Sequence, residues 1–175
     1  MSAVTHPMRP ILASSCARAT SWAESRHRID APVAGRHGAR VIALDDGAAT
    51  LVRRLAEEKW NAARFCTIAA SPSPSRQDGE AVLRLHRAAG GPTVLLDELA
   101  EADVAVLIAT HDCEAVAAAL IGRACAERGI MTAGIVLGDP SETRDTVRAL
   151  RPHTRVLLVS NDPQDVAETL ISIRA

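Results

Sequence analysis

The stretch ADVAVLIATHDCEAVAAALIGRACAERGIMTAGIVLGD, residues 102–139, decides the fold, because it reads as strand, loop, helix and strand without interruption. ADVAVLIAT (102–110) and IMTAGIVLG (130–138) are continuous apolar runs, the mark of parallel strands covered on both faces. Between them, CEAVAAALIGRACAER (113–128) predicts a helix stopped by Gly129. The loop HDCEA (111–115) comes after the first strand at its carboxyl end, where such sheets place their ligands. A phosphate-binding loop there is rich in glycine, and this one carries His111, Asp112, Cys113 and Glu114 instead.

Downstream the alternation continues. SETRDTVRALR (141–151) predicts a helix, TRVLLVS (154–160) a strand and PQDVAETLISIR (163–174) the closing helix. Asp139 before Pro140 and Asp162 before Pro163 read as helix entrances, an acceptor oxygen followed by proline in the first turn. Upstream, RVIALD (40–45) is a buried strand and GAATLVRRLAEEKW (47–60) a helix with Leu51, Val52 and Leu55 turned inward. RFCTIAA (64–70) is a second strand, and SPSPSRQDG (71–79) a surface loop. The spacing of Val82, Leu83 and Leu85 predicts a helix over EAVLRLHRAA (80–89), ended by Gly90, Gly91 and Pro92. TVLLDELAE (93–101) leans towards helix because a strand comes at once after it. Repeated βα units of this length imply an α/β fold with a doubly wound, mostly parallel sheet of Rossmann-like type.

Residues 1–38 are broken by Pro7, Pro10, Pro32, Gly35 and Gly38 and show no sustained period, so they are expected to form a flexible arm ahead of one domain over 39–175. The arm is rich in Arg and Ser and poor in acid, as targeting peptides are, but a disordered tail or a misassigned start is the favoured reading. It holds five Arg against Glu24 and Asp30, a surplus of three, so the total of -1 leaves -4 on the rest. A mildly acidic domain in a chain with one Phe, two Trp and no Tyr speaks against nucleic acid, which needs cationic faces and stacking rings. The single lysine, Lys59, lies in no GxxxxGK[ST] motif. Cys16, Cys66, Cys113 and Cys125 show no CxxC spacing, so a reducing cytoplasm is expected, and no apolar run is long enough for a membrane partner.

A family resemblance lies in the framework over residues 39–171. RVIALDDGAATLVRRLAEEKWNAARFCTIA (40–69) resembles the opening strand, first loop, helix and second strand of the division GTPase FtsZ and of tubulin. RLHRAAGGP (84–92) is similar to the family's glycine-containing third loop, and LLDELAEADVAVLIA (95–109) to the helix and strand before its signature. CAERGIMTAGIVLGD (125–139) is similar to the helix end and strand beyond the signature, and VLLVSNDPQDVAETL (156–170) to the strand ending near the nucleotide base, which brings Asn161 beside a purine ring. The motifs that hold phosphate differ. The family's glycine run in the first loop is replaced by Asp45, Asp46, Gly47, Ala48 and Ala49, and its GGGTGTG signature by THDCEAV (110–116). Asp112 and Glu114 would face a polyanion, and one like-charge pair about 4 Å apart costs on the order of 4 kcal/mol at an effective dielectric near 20. The family's central helix and further domain, which complete hydrolysis, have no counterpart before Ala175. The resemblance therefore implies a degenerate nucleotide-binding half without GTPase activity, acting as a small-ligand or protein-binding module. No cofactor is expected, Mg²⁺ or a nucleotide is disfavoured, and a homo-oligomer is compatible with this reading.

The residues alone leave other chemistries open. Asp45, Asp46, Gly47, His111, Asp112, Cys113, Glu114 and Asn161 all fall at the ends of strands on one side of the sheet, where they can line a crevice. Cys113 at a helix N-terminus with His111 as its base suits a small enzyme, although Asp112 and Glu114 oppose a thiolate. His111, Cys113 and Cys66 offer soft-metal ligands without paired spacing. Asp45 and Asp46 suit the Mg²⁺ site of a receiver-like phosphoacceptor domain, but the lysine such a domain needs near its last strand is missing. Adjacent carboxylates at a helix start also serve simply as caps.

Overall fold

Five apolar strands pair in parallel. The computed structural model describes residues 38–68, 75–77, 80–110, 113–173 and 175. Strand β1 (Ala39–Ala43) is buried along its whole length and is followed by α1 (Asp46–Leu55) and β2 (Arg64–Ile68). A hairpin of β3 (Ser75–Gln77) and β4 (Glu80–Val82) stands as its own two-stranded sheet. Then come β5 (Arg84–Arg87), β6 (Pro92–Val94), α2 (Leu95–Leu99), β7 (Val104–Ala109), α3 (Ala115–Glu127), β8 (Met131–Leu137), α4 (Arg144–Leu150), β9 (Val156–Ser160) and α5 (Gln164–Ser172). The main sheet runs β6-β5-β2-β1-β7-β8-β9, with β2, β1, β7, β8 and β9 parallel and β5 and β6 antiparallel.

Alternate residues of each central strand feed two cores. Val41, Val106 and Ile108 pack with Val52 and Leu55 of α1 and Val166 and Leu170 of α5. Ile42, Leu107 and Val136 pack on the opposite face with Leu99 of α2, Ile121 of α3 and Leu150 of α4. Covering both faces explains why these strands read as mostly apolar runs. The α3 stop is equally local: Gly129 turns to φ +68, its N–H donates to Ala126 O at 3.2 Å, and Ile130 N–H donates to Cys125 O at 2.9 Å.

Three sequence-based expectations change. Residues 80–89 form no helix; 80–82 and 84–87 are strands. Leu83 and Leu85 are buried while Arg84 and His86 between and beyond them are exposed, which is a two-residue period, and β5 covers what would otherwise be the open edge of β2. Gly90 and Gly91, at φ +104 and +92, turn the hairpin from β5 to β6 rather than ending a helix. TVLLDELAE divides into a short strand and a five-residue helix. In the loop of 71–79, residues 75–77 pair with 80–82. The apolar run of β9 sits at the sheet's outer edge, with Val156, Leu158 and Val159 exposed. The arm of 1–38 lies outside the described residues except Gly38, whose N–H donates to Asp103 Oδ2 at 3.1 Å.

Charge is also buried under α2. Arg40 on β1 and Glu98 on α2 are both almost wholly enclosed, and Arg64 and Arg87, on neighbouring β2 and β5, reach the same carboxylate. Among the described residues no helix is long and apolar enough to cross a membrane.

Candidate functional site

The carboxyl ends of β1 and β7 are neighbours at the point where the chain order of the sheet reverses, the usual address for a ligand in an open α/β sheet. Asp45 leaves β1 in an extended conformation and caps α1, its Oδ1 accepting from Ala48 N–H at 2.8 Å. The same carboxylate accepts from Thr110 N–H at 2.6 Å and from Thr110 Oγ1 at 2.8 Å. One buried side chain thus fastens a helix start to the end of the next strand over. The amide that an α1 N-terminus would offer to a phosphate oxygen already holds a carboxylate oxygen of the chain itself.

Gly47 belongs to this latch. A Cβ there would lie 2.7 Å from Thr110 Oγ1 and 3.3 Å from Asp45 Oδ1. The glycine is needed for the approach of Thr110, so the space over Gly47 is taken by side chains of the chain itself. Asp46, in the first turn of α1, is exposed, and its carbonyl accepts from Thr50 Oγ1 at 3.1 Å.

His111 and Asp112 lie outside the described residues. Cys113 is half-buried against the core beneath α3, and burial first, then the charges of Asp45 and Glu114, push its thiol up to about 12. A thiol raised this far favours its protonated form at neutral pH, the opposite of the lowering that a place before a helix would bring. Glu114 is exposed at the start of α3 with no side-chain cap bond, and its N–H reaches back to Leu44 O at 3.4 Å. Cys66 lies mid-strand, fully buried, its thiol likewise pushed up to about 12 by burial and by Glu98. Among the described residues no group of three or more His, Cys, Asp or Glu side chains is arranged to hold a metal.

The structure therefore brings Asp45, Asp46, Gly47, Cys113 and Glu114 to one place and leaves Asn161 apart. Asn161 is exposed beyond β9, three inter-strand steps of about 4.8 Å from β1. Asp139 and Asp162 serve locally. Asp139 Oδ1 accepts from Ser141 N–H at 2.8 Å and from Ser141 Oγ at 2.6 Å, in a turn ahead of α4, which begins only at Arg144. Asp162 Oδ1 accepts from Gln164 N–H at 2.9 Å. Thr110 is the site residue that sequence reasoning missed. Its only signal is a hydroxyl ending an apolar strand beside the crossover.

No protein-family model matches the chain, and no curated protein matches it.

Proposed function

We propose that the chain is a Rossmann-like domain of the FtsZ/tubulin type that has given up phosphate binding and GTP hydrolysis and works by binding a small ligand or a protein. The observation that carries this is the Asp45 carboxylate, which takes Ala48 N–H, Thr110 N–H and Thr110 Oγ1 where a nucleotide's phosphate would need free amides. The parallel order β2-β1-β7-β8-β9 with helices on both faces supports the fold type, while the antiparallel β5 and β6 set this chain apart from a purely parallel sheet. A triphosphate would have to displace an anion from a helix start and then sit beside that same anion.

Thermal unfolding with and without saturating Mg-GTP tests the reading. The midpoint stays where it is, whereas a nucleotide present at 100 times its dissociation constant would add about 2.7 kcal/mol. A clear upward shift overturns the proposal.

A further inference from the structure

At the amino edge of the sheet, opposite the latch, a cavity of about 540 Å³ opens between the segment after α1, the start of β2 and the end of β5. That volume is in the range of small-molecule sites. Its lining includes Trp60, Phe65, Arg64, Arg87 and Glu58. The whole chain has one Phe, two Trp and no Tyr, so two of its three aromatic side chains meet here. Their rings stand 5.6 Å apart at 53°, and Trp60 is fixed by its indole N–H to Leu55 O at 2.6 Å. With the indole N–H engaged, what Trp60 has left to offer is ring surface.

The two arginines are held from behind. Arg87 Nε donates to Glu98 Oε1 at 2.6 Å, and Thr93 Oγ1 donates to the same oxygen at 2.9 Å. Glu98 Oε2 has no hydrogen-bond partner among the described residues and faces Arg40 Nε at 3.8 Å and Arg64 Nη1 at 3.9 Å. Arg64 Nη2 reaches the exposed Glu101 at 3.3 Å. Three guanidiniums thus gather about Glu98 and Glu101, and the outer two, Arg64 and Arg87, remain 47% and 43% exposed where the cavity begins. Guanidiniums anchored by a buried acid lose little freedom on meeting a second anion.

We propose that this cavity binds a small planar organic anion, its ring against Trp60 and Phe65 and its carboxylate or sulfonate on Arg64 and Arg87. A single negative charge suits the site better than several, because Glu58 also lines it. The inference rests on the reading of the chain as a binding domain and gives that domain a ligand class and an address away from the phosphate place.

Titration of the full chain with naphthoate, followed by the Trp60 indole N–H resonance, is the test. Saturable binding is expected at about a millimolar or tighter, with the neutral naphthamide at least about tenfold weaker. Arg64→Gln weakens naphthoate about fivefold or more, and Glu58→Gln, an exposed change that spares the fold, tightens it about two- to fivefold. No saturable shift, equal binding of the amide, or indifference to both substitutions overturns the proposal. A Mg-GTP shift in melting with these naphthoate results intact would instead sink the functional reading and leave the anion site standing.

Discussion

At the carboxyl edge the carboxylate of Asp45 meets three donors within 2.8 Å, whereas under the amino edge the carboxylate of Glu98 is equally enclosed and has one oxygen that meets only guanidinium charge, at 3.8 and 3.9 Å. The first arrangement is closed: each of its donors is neutral, short-range and directional, so a helix start and a strand end are locked with nothing left over. The second is held by charge from three strands, which does not saturate in the same way and leaves two arginines reaching the surface. A buried acid can therefore shut a site or build one, depending on whether neutral donors or surplus cations satisfy it.

The largest effect is expected at Glu98. Glu98→Gln removes the carboxylate charge beside the enclosed Arg40 and should cost about 3–5 kcal/mol in urea unfolding. Burial alone pushes the Glu98 carboxyl up, but hydrogen bonds from Arg87 and Thr93 and the charges of Arg87 and Arg64 outweigh it and hold it below the ordinary carboxylate value of 4.5. A depressed acid contributes its stability above that ordinary value and loses it as pH falls through the folded value. The wild type should thus weaken steeply below pH 4.5, and Glu98→Gln should flatten that limb. A substitution costing under about 1 kcal/mol would show that the arginines are not organised by Glu98.

Next comes the latch. Asp45→Ala strands Ala48 N–H and the Thr110 donors and should cost about 2–4 kcal/mol, measured in the same way. A cost near that of an ordinary cap, about 1 kcal/mol, would mean that the link to Thr110 adds nothing and that the two edges differ less than their geometry implies. The smallest effect is the most specific. Gly47→Ala would ordinarily stabilise a helix by about 1 kcal/mol, but here the added Cβ would lie 2.7 Å from Thr110 Oγ1 and should instead cost about 1–3 kcal/mol. A gain in stability would show that Thr110 can move aside and that the phosphate place is less occupied than proposed.

The parallel core of this chain is legible in its residues alone. The runs that became β1, β2, β7 and β8, the helices between them and the glycine stop of α3 are written in local periodicity, because a strand covered on both faces is apolar at most positions and a helix end needs a residue that tolerates positive φ. The gathering of Asp45, Gly47 and Cys113 at one end of the sheet is legible in the same way. Packing in three dimensions settled the rest. Residues 84–87 carry too few apolar positions to separate a two-residue from a helical period, and became a strand because β2 had an edge to cover. Asp45 and Thr110 are 65 residues apart, and Arg40 and the Glu98 carbonyl it also bonds are 58 apart, so what each buried acid is paired with emerges only once the strands lie side by side. Local spacing fixes which residue types face inward; partners distant in the chain fix whether an inward charge closes a site or opens one.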